Sequence, residues 1–106
     1  MSEISKLDNN LIVKKIDSKT INLQITDNET LMSIVGQFDQ NLKDLAKLTS
    51  TNIFFRGNSI TCKGDRDNTL LFCDAIKFLI NKYILTKIIE KEDIIQSINK
   101  NMEFKE

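Results

Sequence analysis

From Leu11 onward, apolar and polar positions alternate and then cluster. Leu11-Ile12-Val13 and then Ile21, Leu23 and Ile25, alternating with Asn22 and Gln24, read as extended segments, the second with the period-two signature of a strand with one face buried. Asp17-Ser18-Lys19 between them reads as a turn. Thr26 and Glu29 stand three apart, the spacing of a capping box, and predict a helix start. Leu31, Ile34, Val35, Phe38, Leu42 and Leu45 then recur at steps of three and four, one apolar stripe on helical segments reaching to Leu48. Gly36 interrupts that stripe. Glycine weakens a helix interior by about 1 kcal/mol relative to Ala, and Asp39 fits a fresh N-cap, so the pattern predicts two short helices with a sharp junction over Gly36 to Asp39. The alternative is one continuous helix.

Thr49-Ser50-Thr51-Asn52 ends the helical run through side chains that compete for backbone hydrogen bonds. Ile53-Phe54-Phe55-Arg56 and Ser59-Ile60-Thr61-Cys62-Lys63 are β-rich and flank Gly57-Asn58, a tight-hairpin signal. Gly64-Asp65-Arg66-Asp67 leads into a long helix from about Asn68 to Tyr83. Its polar positions Asp74, Lys77 and Asn81 form so narrow a stripe that two sides need cover. Leu71, Ala75, Phe78 and Leu79 are expected on the sheet. Phe72, Ile76, Ile80 and Tyr83 are expected under a closing helix that begins at Glu90-Lys91-Glu92-Asp93 and carries Ile94, Ile95, Ile98 and Met102. Those carboxylates read as helix N-terminal residues favoured by the macrodipole, without an acid–base or metal role. Residues 1–10 and 103–106 read as flexible ends around one domain over 11–102.

Composition narrows the chemistry. The chain has 106 residues, no His, no Pro, two Cys, and 15 basic against 15 acidic side chains. Without His there is no His-based metal site, no His general base and no Ser-His or Cys-His pair. Cys62 and Cys73 sit among apolar neighbours and read as buried, reduced thiols of a cytoplasmic protein. The first ten residues hold no apolar h-region, and no window approaches the roughly 18 apolar residues of a membrane span. A chain near 100 residues buries about two thirds of its unfolded surface, enough for one core but not for a deep catalytic cavity, so function is expected on a surface.

The coarse order, β, helix, glycine junction, helix, β, β, long helix, is the type I KH arrangement: an α+β fold with a three-stranded antiparallel sheet, helices on one face and here a closing C-terminal helix. Within it, Ile34-Val35-Gly36-Gln37-Phe38-Asp39-Gln40-Asn41-Leu42-Lys43, then Ile53-Phe54-Phe55-Arg56-Gly57-Asn58 and Ile60-Thr61-Cys62-Lys63-Gly64, resemble the N-terminal domain of the PhoH-like, phosphate starvation-inducible P-loop ATPase family. Glu92-Asp93-Ile94-Ile95-Gln96-Ser97-Ile98 resembles the small helix that closes that region. The resemblance covers about Ile21 to Ile98. It implies a cytoplasmic, non-catalytic accessory domain that presents RNA or single-stranded nucleic acid to a P-loop ATPase domain. ATP and magnesium belong to that ATPase domain, since Gly36, Gly57 and Gly64 begin no Walker A loop and the chain itself needs no cofactor. The competing expectation is a protein-interaction module that docks on the ATPase domain or on a second subunit and binds no nucleic acid.

In KH domains a Gly-x-x-Gly loop between the first two helices clamps about four nucleotides. The matching place reads Gly36-Gln37-Phe38-Asp39, where the Asp39 side chain narrows the approach and its charge repels phosphate. Net neutrality also departs from the usual basic excess, although Lys43 to Arg66 holds Lys43, Lys47, Arg56, Lys63 and Arg66 against Asp44 and Asp65. The nucleic-acid-binding candidates are therefore Gly36, Gln37, Phe38, Asp39, Lys43, Lys47, Arg56, Gly57 and Asn58, of which the junction Gly36 to Asp39, the Lys43/Lys47 face and Arg56 are expected to meet at one groove. Each has a plainer reading beside it. Lys43 and Lys47, four apart, also suit a solvated helix face, and Gly57-Asn58 suits a tight turn alone. Phe54 and Phe55 face opposite sides of their strand, so one is a surface ring or both faces are buried, the latter being the expectation.

Overall fold

In the computed structural model, which describes residues 11–104 in backbone and 11–99 in side chain, four strands form one antiparallel sheet. The expectations for residues 1–10 and 105–106 and for the Met102 side chain lie outside the described residues. Strands β1 (Leu11–Asp17) and β2 (Thr20–Ile25) form a hairpin. Helix α1 (Asn28–Val35), a 3₁₀ turn (Gln37–Asp39) and helix α2 (Gln40–Thr49) follow. A second hairpin, β3 (Asn52–Arg56) and β4 (Ser59–Lys63), leads to α3 (Arg66–Thr86) and α4 (Lys91–Phe104). The sheet order is β1-β2-β4-β3.

The fourth strand corrects the three expected. β1 lies at the sheet edge and pairs with β2 from Leu11↔Ile25 to Asp17↔Thr20, with a bulge between Lys15 and Asp17. Its extended backbone matches the reading of Leu11-Ile12-Val13, but its place in the sheet was not expected: only Leu11 is buried, and with Ile12, Val13 and Ile16 exposed no alternation marks a core-facing strand. The Asp17 carboxylate accepts the Lys19 N–H at 2.8 Å and closes the turn. That hydrogen bond, another from Thr20 and the nearby Lys63 charge hold its pKa below the ordinary value.

One face of the sheet is apolar for a simple reason: Ile21, Leu23 and Ile25 point to it from β2, and Ile60 and Cys62 from β4. All five are buried in the core. The helices cover this face, α1 and α3 against β2, α3 also against β4, and α2 against β3. On α3 the fully buried positions Phe72, Ala75, Ile76, Leu79 and Ile80 mark the centre of the inward arc, while Leu71 and Phe78 are half-buried at its margin. α4 packs on α3 and buries Ile94 and Ile98, as the narrow polar stripe required, but Ile95 is half exposed and faces away. Each fully buried aliphatic or aromatic side chain contributes about 1.5–3 kcal/mol, so this shared core dominates the stability.

Caps differ in detail from expectation. The N-cap of α1 is Asp27 rather than Thr26: its carboxylate accepts from the Thr30 N–H at 3.0 Å and the Thr30 hydroxyl at 2.7 Å. A carboxylate at a helix N-terminus also meets the positive end of the macrodipole. Those hydrogen bonds keep the Asp27 pKa below the ordinary carboxylate value. α4 starts with a reciprocal contact, the Glu90 N–H donating to the Asp93 carboxylate at 2.8 Å, and Asp93 also pairs with Lys82 at 3.5 Å. These bonds account for the buried Asp93. Cys62 and Cys73 are free and buried, and burial pushes the Cys62 thiol up to about 11 and raises Cys73 as well.

Candidate functional site

The junction between α1 and α2 breaks, as the glycine implied, but by an unexpected route. Gly36 has φ 81° and ψ 174°, a region essentially restricted to glycine, and its N–H caps α1 by donating to the Met32 carbonyl at 3.0 Å. A Cβ there would lie 2.6 Å from the Asn41 side chain. Phe38 and Asp39 follow with φ 54° and φ 60°, two consecutive L-residues in the left-handed region. Each costs about 1–2 kcal/mol in that conformation, less for Asp, which tolerates it. Asp39 makes no side-chain capping bond. It thus occupies the expected N-cap position of α2 but without the expected capping bond, in a conformation that glycine takes freely.

The reversal also removes Phe38 from the apolar stripe. A helix reading placed it in line with Ile34 and Leu42; with the chain turned at Gly36 it lies 86% exposed at the tip of the junction. A bare phenylalanine on a strained turn is an expensive arrangement, of the kind that collects at binding sites.

Beside this turn runs a groove of about 240 Å³ between α2 and β3. Asp39, Leu42, Lys43 and Ala46 form its helix wall, and Thr51, Asn52, Ile53 and Phe55 its strand wall. The two-residue connection Ser50-Thr51 makes this possible. Ser50 takes φ 55° as the C-cap of α2, and the Thr51 N–H donates to the Ala46 carbonyl at 3.0 Å, so β3 returns alongside the helix and brings Phe55 to the Asp39 end. Thr49 and Thr51 share a hydroxyl–hydroxyl hydrogen bond of 2.8 Å that ties the corner.

Of the nine predicted residues, Asp39 and Lys43 line this groove, with Gly36, Gln37 and Phe38 leading into it. Lys47 does not. Four residues along α2 it has rotated to a separate, almost wholly apolar groove of about 280 Å³ between α2 and α4, which it lines with Leu48, Ile94 and Ile95. Arg56 stands next to groove-lining Phe55 but, by strand alternation, projects from the opposite face of the sheet. Gly57 and Asn58 form the hairpin turn, in which only Gly57 has positive φ, at 61°. The expectation that all these segments meet in one groove is therefore corrected to Asp39, Lys43 and the junction.

Sequence reasoning missed the strand wall, Thr51 to Ile53 and Phe55, and expected both phenylalanines of β3 to be buried. Phe54 is 57% exposed, with the Lys63 ammonium 5.6 Å from its ring centroid. The alternation of Ile53 and Phe55 with Phe54 and Arg56 was the available signal. Among the described residues no group of three His, Cys, Asp or Glu side chains could hold a metal ion, and no helix is long and apolar enough to cross a membrane. No family model matches the chain, and neither a curated protein nor a solved structure matches it.

Proposed function

We propose that this chain is a KH-like, non-catalytic domain that holds single-stranded RNA in the groove between α2 and β3, as the accessory domain of a cytoplasmic PhoH-like protein. In that setting it presents the strand to a P-loop ATPase domain, to which ATP and magnesium belong. The order β2, α1, turn, α2, β3, β4, α3, with β4 central between β2 and β3, supports the KH-like reading; β1 and α4 are then additions at the two ends.

The observation that carries the proposal is the junction. Gly36, Phe38 and Asp39 all have positive φ at the one place where a KH domain approaches the nucleotide backbone, and the turn opens onto a groove with a cationic wall residue, Lys43, and a partly apolar floor. A short helix–helix connection needs no such strain, and a solvent-facing turn needs no phenylalanine. Anisotropy of a labelled 12-nucleotide oligo(U) tests the proposal. Lys43→Glu should weaken binding and Asp39→Gly strengthen it. Affinity that is unmeasurable both before and after Asp39→Gly would make the groove vestigial.

A second reading draws on the other groove. The surface formed by Leu48, Ile94 and Ile95 suits docking of the ATPase domain or of a second subunit. Leu48→Asp should then abolish association in analytical ultracentrifugation and leave RNA binding intact; equal association of both proteins would remove this reading.

A further inference from the structure

The helices cover one face of the sheet, and the strand registers define what stands on the other. Lys14, Asn22, Thr61 and Phe54 are cross-strand partners in one row running over all four strands. Ile12, Gln24, Ser59 and Arg56 form the next row, and Asp17, Thr20, Lys63 and Asn52 the third. This face carries three cations, Lys14, Arg56 and Lys63, one at a different strand each. Against them, among the described strand residues, stands one carboxylate, Asp17, at a corner, held by the Lys19 N–H and near the Lys63 charge.

Between the cations lie amides and hydroxyls. The Asn22 amide donates to Ser59 Oγ at 2.7 Å and to Thr61 Oγ1 at 3.1 Å, which fixes a polar lattice at the centre of the sheet while each hydroxyl keeps its own proton to donate. At the edge Phe54 offers a ring 57% exposed, with Lys63 beside it. A solvent-facing sheet needs no aromatic ring, and a protein-docking face would be expected to be apolar at its centre rather than polar and cationic.

We propose that this face, which none of the described helices covers, is a second binding surface, specific for single-stranded RNA, on which a base stacks on Phe54 while Lys63, Arg56 and Lys14 take phosphates along the strand. Sheets that display an aromatic ring among basic and hydrogen-bonding side chains suit this ligand, because stacking accepts any base and the cations follow the backbone. The four strands span about 14 Å at the usual interstrand spacing, room for a short stretch of extended strand. The hydroxyl and amide lattice faces the sugar edge, where a 2′-hydroxyl both donates and accepts, and this favours RNA over DNA. The inference does not depend on the groove between α2 and β3, which lies around the opposite side of β3.

The test compares three variants of the full chain by anisotropy of labelled oligo(U) and of the matching deoxyuridine oligomer, with thermal melting as a check that each is folded. Phe54→Ser should weaken RNA binding about tenfold, within the range for loss of one stacked base. The double variant Lys14→Ser/Lys63→Ser should flatten the slope of log K against log salt by about 1.4, two phosphate contacts at about 0.7 each for a single strand. If both sheet variants bind within twofold of the parent, the inference is overturned, and the groove reading survives only if Lys43→Glu weakens binding. If the sheet variants weaken binding and Lys43→Glu does not, the sheet stands and the groove fails. Equal affinity for the DNA oligomer would overturn the assignment to RNA.

Discussion

Two glycine turns, four residues and two residues long, precede α2 and follow β3 in the sequence, and they are built differently. At Gly57-Asn58 a single positive φ satisfies the hairpin, an added Cβ would meet open space, and nothing large is displayed. At Gly36 to Asp39 three residues have positive φ, an added Cβ would strike Asn41, and the turn holds Phe38 in solvent. The first turn meets the needs of the chain alone. The second spends more conformational energy than joining two helices requires, and that excess is the ground for proposing it as a site.

The comparison can be broken first by stability. Gly36→Ala should destabilise the domain by about 3 kcal/mol, since it combines a steric collision with a conformation closed to Ala, whereas Gly57→Ala should cost about 1 kcal/mol. Urea unfolding midpoints would measure both, and equal losses would mean that the two turns are equivalent. Next in size is the division of the two lysines. Lys43→Glu should weaken oligo(U) binding about tenfold, near 1.4 kcal/mol, and Lys47→Glu by less than about twofold, because only Lys43 lines the groove beside the junction. Equal losses would return both to one face.

Asp39→Gly sharpens the contrast further. Relief of the left-handed backbone should offset the entropy lost with glycine and leave the protein unchanged or about 0.5 kcal/mol more stable, with tighter RNA binding. A clear loss of stability would restore a structural role to the carboxylate. The smallest effect concerns acid. Asp27, which caps the helix leading into the junction, has a folded pKa below its ordinary value of 3.8, so its contribution is full above that value and is lost as pH falls through the folded pKa. Amide protection at the start of α1 should therefore be full at pH 6 and fall as the pH drops below about 4 towards the folded pKa, while the Gly57 hairpin, which has no such carboxylate, should keep its protection.

Much of the fold was legible because burial imposes a period. Ile21, Leu23 and Ile25, and the apolar arc of the long helix, face a core from one side, and their spacing states that directly. The glycine break was legible too. What failed did so where a local backbone choice changed the phase: once Gly36 turns the chain, Phe38 leaves the stripe that its spacing suggested. β1 was legible as an extended segment but not as a fourth strand of the sheet, because an edge strand with one buried residue carries no alternation, and Thr26 was preferred over Asp27 because a one-residue shift in a cap leaves the same composition nearby. Lys47 was misplaced since a four-residue step advances about 40° around a helix, enough to cross from one groove to the other where α2 is flanked on both sides.

RNA bound as proposed contacts the groove beside the strained junction. The most direct measurement is the change in backbone amide resonances on titration with oligo(U) at low salt. The predicted result is that the amides of Gln37, Phe38, Lys43 and Asn52 to Phe55 shift together with one affinity while those of Lys91 to Asn99 stay in place. Shifts confined to α4, or none at saturating oligonucleotide, would contradict it.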